Sequence, residues 1–538
     1  MTSTPDILSL ARRHAESGRF AEFQGLCQQL AADCPDELPT QLDIGALLFG
    51  YGFLTDARTC YEKAQTLAPT DLRAQVNLAN LARDAGEHAE ARRLYTDLLR
   101  QLPDHPVIRR NALTSLEYDP EVPDAERLVQ AQAWGAWAIV RAGGIRPRPA
   151  LQPLQGRPLR IGYVSADLCQ HTVGLFAKDV LKTHDSARVQ VLAYSAGQVQ
   201  DWVSNEIRAA STFRDVASFD DAALADQIRA DGIDVLIDLS GHTAGSRLTA
   251  FAHRPAPVMV SWLGYFATTG LPYLDAVLLD DWHAPPGTEA QFVEPILRLP
   301  SGRFCYQPVP WAPTEVAAPA FARNDFITFC CFNNTAKFNA GVFDAWARVL
   351  QAVPNARLIL KWRTFNDAVF RQNVTQAFVD RGIASDRIEL RGPSFHAELL
   401  KEYADLDIAL DPFPFTGGLL RVLKPEGFLV VTCPDLQAVC QMVAEDKLND
   451  AAYISQAGPI TPLDILYGHG EALAGGHHYM AHKTGFTLKT LTQVLHAAGF
   501  ATSAGKRRLR GLDLWVVACK GPMDEAALRA LAGKVLPG

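Results

Sequence analysis

The sequence predicts two architectures in one chain: an α-helical solenoid, then α/β lobes built on parallel sheets. Three observations predict this. Gly18, Gly52 and Gly86 recur every 34 residues near the N-terminus, and short β-rich runs alternate with helical stretches from Leu159 onward. Between the two patterns stands a Pro-rich segment, Gly143-Gly-Ile-Arg-Pro-Arg-Pro-Ala-Leu-Gln-Pro. A fixed period of this length marks stacked helical hairpins, and strand–helix alternation marks parallel sheets.

The helical repeat carries its own punctuation. Pro35, Pro69 and Pro103 keep the same spacing as the glycines, as do Ala57 with Ala91 and Tyr61 with Tyr95. Each unit reads as two amphipathic helices, for example Ala74–Ala85 and Ala89–Leu102. The glycine turns the chain between them, and the proline ends the second helix. Period and residue types resemble tetratricopeptide repeats. One such unit cannot bury its apolar face alone, so stacking implies an elongated array with a concave groove. A further helical stretch, Asp124–Ala142, precedes the Pro-rich linker.

Composition limits the function classes. The chain has 538 residues, 48% hydrophobic and 20% charged, with a net charge of −8. That length implies three or four domains at roughly 100–200 residues each. The acidic balance argues against nucleic-acid or anionic-membrane partners. No apolar run approaches the roughly 20 residues that span a bilayer, and no signal peptide is evident at the N-terminus, so a cytoplasmic location is expected. The ten cysteines are scattered, with Cys330 and Cys331 adjacent and no C-x-x-C. They read as buried free thiols of a reducing compartment.

Strands are expected at Arg160–Ser165, Val189–Ser195, Asp234–Leu239, Val258–Leu263, Ala276–Leu279, Ile327–Phe332, Arg357–Lys361, Arg387–Arg391 and Asp407–Leu410. In parallel sheets ligands bind beyond the C-terminal ends of strands. Four post-strand segments are polar: Ile161–Gly174 containing His171, Ile237–Thr243 containing His242, Trp262–Gly270, and Phe332–Lys337. They point to a polar-ligand site where two α/β lobes meet. No G-x-G-x-x-G, no G-x-x-x-x-G-K-[ST] and no H-E-x-x-H occurs, which removes the main support for dehydrogenase, P-loop and zincin readings. The Asp405-Leu406-Asp407 pair opens a strand and reads as structural rather than metal-binding.

These segments, with His253-Arg-Pro-Ala-Pro-Val-Met-Val-Ser-Trp-Leu-Gly-Tyr and Asp407-Ile-Ala-Leu-Asp-Pro-Phe-Pro-Phe-Thr-Gly-Gly, resemble the protein O-linked N-acetylglucosamine transferases and SPINDLY-like proteins. The resemblance covers about residues 1–418. It implies a GT-B fold of two Rossmann-like lobes and inverting transfer from UDP-N-acetylglucosamine to Ser or Thr hydroxyls. It implies protein or peptide acceptors held in the repeat groove, and no metal or other cofactor. Lys337 matches the lysine that stabilises departing UDP, with Asn333 and Asn334 near the nucleotide. A helix-capping role fits the two asparagines as well. His171 matches the active-site histidine, orienting sugar or assisting proton removal. His242, Thr243, Gly264 and Tyr265 fall in the sugar and acceptor cleft, and His396 is the nearest match to a second-lobe histidine beside the uracil.

The resemblance stops near Leu419. Relatives continue with a Thr-Thr pair that opens a pyrophosphate-binding helix and with an acidic residue for the ribose. Here the chain reads Leu420-Arg-Val-Leu-Lys-Pro425-Glu-Gly-Phe-Leu-Val-Val-Thr. That text, with Gly485–Phe500 and Leu512–Cys519, resembles the last part of class I S-adenosylmethionine-dependent methyltransferases, whose cofactor-binding half is missing. The tail is expected partly to complete the second lobe, with Leu419–Leu423 imitating the lost helix and Phe428–Thr432 the next strand. His469, His477, His478 and His482 read as a polar loop rather than a metal site.

The organisation expected is repeats over 1–115, connector and linker over 116–157, a first lobe over 158–318, a partial second lobe over 319–419 and a methyltransferase-like tail over 420–538. Function is expected to be UDP-sugar-dependent protein O-glycosylation. The alternative is a repeat-containing scaffold that has lost turnover through the truncated second lobe.

Overall fold

The computed structural model describes residues 4–315, 317–412, 428–455, 458–467, 486–497, 500–508 and 512–536. Two compact units divide it, Met1–Thr416 and Gly417–Gly538.

The first unit opens with paired helices α1 (Thr4–Glu16), α2 (Phe20–Asp33), α3 (Leu38–Gly50), α4 (Leu54–Leu67), α5 (Leu72–Asp84), α6 (His88–Gln101) and α7 (Pro106–Leu116), followed by the longer α8 (Asp124–Arg141). The periodic glycines lie in the α1–α2, α3–α4 and α5–α6 turns, with φ of +73°, +89° and +79°. A left-handed turn is cheap only for glycine, so the 34-residue period has a backbone cause. Ala57, Tyr61, Ala91 and Tyr95, the other periodic residues, are buried in the repeat interior.

The first lobe holds β1 (Leu159–Ser165), α9 (Thr172–Thr183), β2 (Val189–Ser195), α10 (Trp202–Ala210), β3 (Thr212–Asp215), α11 (Asp221–Ala230), β4 (Val235–Asp238), α12 (Leu248–Phe251), β5 (Val258–Trp262), β6 (Ala276–Leu279) and β7 (Ile296–Arg298). Its strands form one parallel sheet in the order β3-β2-β1-β4-β5-β6-β7. Order reverses beside β1, at the switch point where parallel α/β sheets place ligands.

The second lobe holds α13 (Phe321–Asn324), β8 (Thr328–Cys331), α14 (Ala340–Ala352), β9 (Arg357–Lys361), α15 (Ala368–Val379), β10 (Ile388–Arg391), α16 (His396–Glu402) and β11 (Ile408–Ala409). The sheet is parallel, in the order β10-β9-β8-β11. Its core is continuous with that of α1–α5: Phe23, Ile44, Tyr61 and Leu81 share one cluster with Phe329, Phe338, Trp346 and Phe365. Helix α8 instead covers a face of the first lobe, with Trp134 and Trp137 packed among Leu192, Leu236 and Phe251.

All nine strands read from the sequence form. Two more, β3 and β7, were missed. They are four and three residues long, and each pairs on one side only, at the ends of the sheet.

The second unit holds β12 (Phe428–Pro434), α17 (Leu436–Ala444), β13 (Tyr453–Ser455), β14 (Gly458–Ile460), α18 (Pro462–Tyr467), α19 (Leu488–Ala497), β15 (Thr502–Arg508), β16 (Asp513–Cys519) and α20 (Glu525–Val535). Helix α19 followed by the β15–β16 hairpin is the helix-then-hairpin order read from the sequence. One expectation is corrected. Phe428–Thr432 does not extend the second-lobe sheet; β12 pairs antiparallel with β16, from Phe428 with Cys519 to Pro434 with Asp513. A full-length ladder and an apolar face of Leu514, Val516 and Ala518 packed with Leu491 and Phe500 satisfy this strand locally. The Leu419–Leu423 segment and His469, His477, His478 and His482 lie outside the described residues.

Candidate active site

Lys337 sits in a 3-10 turn, Thr335–Lys337, directly after β8. Asn334 caps this turn, its Oδ1 accepting the Ala336 amide at 3.0 Å. Asn339 caps α14 through the Val342 amide at 3.0 Å. Two asparagine caps in six residues therefore fix the loop between strand and helix. Within it Lys337 Nζ donates to Asn333 Oδ1 at 2.9 Å, and Asn333 Nδ2 donates to Asp411 Oδ1 at 3.1 Å. Asp411 follows β11, the strand beside β8, so the ladder itself brings the two loops together. Burial pulls the Lys337 pKa below the ordinary lysine range, against the opposing pull of Asp411. The result is a half-buried amine held by the Asn333 side-chain amide beside one carboxylate, a group suited to an incoming anion.

His171 is the N-cap of α9, and its side chain is 50% exposed. Its Nδ1 accepts the Val173 amide at 3.3 Å. A neutral ring held this way carries its proton on Nε2 and offers a donor. Asp167 lies 3.9 Å away; burial raises its carboxyl pKa and His171 opposes the rise.

The loop of His171 is tied to His396. Gln170, its neighbour, accepts from Trp202 Nε1 at 2.8 Å. Trp202 meets Trp311 edge-on, with ring centroids 5.5 Å apart. Trp311, in the segment joining the lobes, donates Nε1–H to His396 Nδ1 at 3.2 Å. This aromatic chain crosses from α10 in the first lobe to α16 in the second.

The remaining predicted residues are placed deeper. His242 is 1% exposed, with Nε2 at 2.8 Å from the Thr269 carbonyl and its ring edge-on to Trp134 at 4.4 Å. Burial pushes its pKa down to about 4, so it is neutral at physiological pH. Tyr265 is also buried, 5.3 Å from His242 by ring centroid. Thr243 closes a turn onto the Ser240 carbonyl at 2.8 Å. A Cβ at Gly264 would overlap the Leu239 carbonyl oxygen, so only glycine lets the post-β5 and post-β4 segments touch. These four residues shape the loops after β4 and β5.

Several functional candidates escaped the sequence reading. Asp411 stood in a quoted motif, and an acid directly after a strand was a usable signal. Arg303 is fully buried and donates from Nη2 to the carbonyls of Leu263 (2.6 Å) and Tyr265 (2.7 Å), holding Leu263 at φ +76°. Nothing in its local sequence marks it. Trp311 and Trp202 likewise acquire meaning only from their mutual contact. Asp407, by contrast, accepts the Phe321 and Thr328 amides at 2.9 and 2.8 Å, a structural use of the Asp-x-Asp pair.

Helical repeats leading into two parallel-sheet lobes, with polar side chains after the strands of both, define the architecture of a GT-B glycosyltransferase. The chain's likeness is more particular. Residues 148–306 match the model of Glycosyl transferase family 41. The chain is 35% identical over 324 residues to an Arabidopsis thaliana protein named probable UDP-N-acetylglucosamine–peptide N-acetylglucosaminyltransferase SPINDLY, covering 59% of this chain and 35% of that one. A SPINDLY protein of Hordeum vulgare is 38% identical over 268 residues, covering 48% and 28%. A lysine-to-methionine mutant of Thermobaculum terrenum O-GlcNAc transferase superposes with TM-score 0.67 at 28% identity, covering 92% of each chain. The chain spans about a third of the length of the SPINDLY proteins it matches. Its resemblance to the O-GlcNAc transferase and SPINDLY glycosyltransferases is thus carried by sequence and fold together. No described helix is long and apolar enough to cross a membrane.

Proposed function

We propose that the protein transfers a sugar from a UDP-sugar, N-acetylglucosamine in the first instance, to Ser or Thr hydroxyls of protein acceptors with inversion. The observation that carries this is the Lys337–Asn333–Asp411 network at the strand ends of the second lobe. When the glycosidic bond breaks, negative charge develops on the pyrophosphate oxygens. A preorganised ammonium there stabilises charge that appears only as the leaving group departs. Asn333 holds Nζ in place, and the Asp411 carboxylate opposes the lowering of its pKa by burial. His171 offers an Nε2–H donor and fits the role of orienting donor or acceptor oxygen rather than removing a proton. A cavity of about 520 Å³ among α4, α5 and α6 is lined by Arg58, Gln75, Glu90, Arg93 and Asp97 among others, a polar lining suited to a polar peptide.

Titration calorimetry with UDP tests the reading. Binding that is lost in Lys337→Ala supports it, and transfer of N-acetylglucosamine to a peptide library then identifies the acceptor. A scaffold without turnover is favoured by one observation: Leu420-Arg421 stands where relatives carry a threonine pair. Wild-type protein that does not bind UDP establishes that second reading.

A further inference from the structure

The loop that carries Lys337 is held from outside its own lobe. Asp84, the last residue of α5, is buried and makes two links to the second lobe. Its carbonyl accepts Thr335 Oγ1 at 3.0 Å, and its Oδ2 pairs with Arg363 Nη2 at 2.6 Å. Thr335 also bonds Thr364 Oγ1 at 2.9 Å. One turn earlier in the array, Arg363 Nη1 donates to the Phe49 and Gly50 carbonyls, and Asn366 Nδ2 donates to Tyr51 O at 2.9 Å. Thr55, at the start of α4, gives its amide and hydroxyl to Asp367 at 2.7 and 3.0 Å.

The turn glycines show how close the approach is. A Cβ at Gly86 would come within 2.8 Å of the Phe338 carbonyl oxygen, and one at Gly52 would overlap the Arg363 carbonyl. Gly18 has the same turn and nearly the same φ, yet a Cβ there meets nothing within 4 Å. Two of three equivalent turns are thus seated on the second lobe. One of them sits on the residue that follows Lys337.

We propose that Asp84 and Gly86 are positioning residues for Lys337, so that the third repeat sets the geometry of the donor site as well as any acceptor contact. The contact is backbone against backbone at Gly86–Phe338 and is locked by the Thr335 hydroxyl. The turn Thr335–Lys337 is only three residues long, so displacing either flank moves Nζ away from Asn333. Repeats and donor site are then coupled, and a ligand that shifts α5 relative to α6 changes UDP affinity.

This inference rests on the UDP-binding reading, and the experiment separates the two. The 538-residue chain is prepared as wild type, Gly18→Ala, Gly86→Ala, Thr335→Val and Thr335→Ser. UDP affinity is measured by calorimetry and protection of amides 332–340 by hydrogen exchange, with thermal melting to confirm folding. Gly18→Ala carries the same backbone strain as Gly86→Ala but no clash. Gly86→Ala and Thr335→Val should weaken UDP binding by about 10- to 100-fold, the range set by a displacement of about 1 Å, and should deprotect amides 332–340. Thr335→Ser should restore both, and Gly18→Ala should change neither. Equal UDP affinity and equal protection in Gly86→Ala and Gly18→Ala overturn the proposal. Wild type that fails to bind UDP overturns the function reading alone, and amide protection then decides the positioning role by itself. A Gly86→Ala that does not fold passes the decision to the Thr335 pair, where Thr335→Val indistinguishable from wild type overturns the proposal.

Discussion

The two lobes bury their sheets with different partners. The seven-stranded first sheet has one core made from its own lobe, Tyr163, Ala177, Ala193, Ile207 and Trp262 among them, and a second core to which α8 adds Trp134 and Trp137. The four-stranded second sheet shares its core with five repeat helices. A small sheet has less apolar surface of its own to remove from water, and the repeats supply the rest. The consequence reaches the candidate site. His171 stands half-exposed on a loop tied to α10 and, through Trp311, to His396. Lys337 is half-buried on a loop that the repeats help to hold. Damage to the repeats should therefore be felt at Lys337 before it is felt at His171.

The largest effect expected is on turnover. Lys337→Ala should lower kcat by about 10²–10³-fold, the usual cost of removing one transition-state charge partner. His171→Ala should cost about 10-fold less than that, with a modestly lowered melting temperature and a loss of about 1 kcal/mol of stability, because its Nδ1 caps α9. Steady-state rates with a UDP-sugar rank the two. A greater loss from His171→Ala would reverse the contrast drawn between the buried and exposed groups.

Stability comes next. Trp134→Ala removes a buried indole that meets both Trp137 and His242. It should cost about 3–5 kcal/mol in denaturant unfolding, while UDP affinity of the folded fraction stays near that of wild type. A loss of UDP affinity equal to that of a repeat-turn lesion would show that the first-lobe contact also governs the donor loop.

Glu117, after α7, sharpens the comparison by pH. Burial raises its pKa from 4.5 to about 7, with Arg127 opposing. A raised carboxyl pKa means that the folded state prefers the protonated form. Its stabilising contribution is complete below about pH 4.5 and disappears as pH rises through about 7. Glu117→Gln should therefore stabilise the protein on the order of 2 kcal/mol at about pH 8 and give no gain at about pH 4. Equal effects at both pH values would contradict a buried ionisable role.

The smallest effect concerns Lys337 itself. Its lowered pKa should give UDP affinity an alkaline limb that begins below the ordinary lysine range of about 10.4. Lys337→Arg should abolish that limb, since a guanidinium keeps its proton throughout. A limb that survives in Lys337→Arg belongs to another group.

Much of this molecule was readable in order along the chain. The repeat period follows from glycine's left-handed turn. Nine strands follow from apolar runs bounded by turn residues, and the post-strand placement of His171 and Lys337 follows from the parallel sheet. Edge strands β3 and β7 were not readable, because three or four residues carry too little periodicity and need a neighbour's ladder to define them. The pairing of Phe428–Pro434 was misread for a related reason: a strand's sequence does not name its partner, and the β15–β16 hairpin offered a closer one.

The sequence by itself determined which local structures form and which residue types stand at their ends, since turns, caps and apolar periodicity act over a few residues. Only the tertiary structure decided how those ends meet. It joined Lys337 to Asn333 and Asp411 across neighbouring strands, buried His242 against Trp134, threaded Trp311 between the lobes and seated Gly86 on Phe338. Each of these is a long-range approach of groups whose separation along the chain carries no trace of their distance in space.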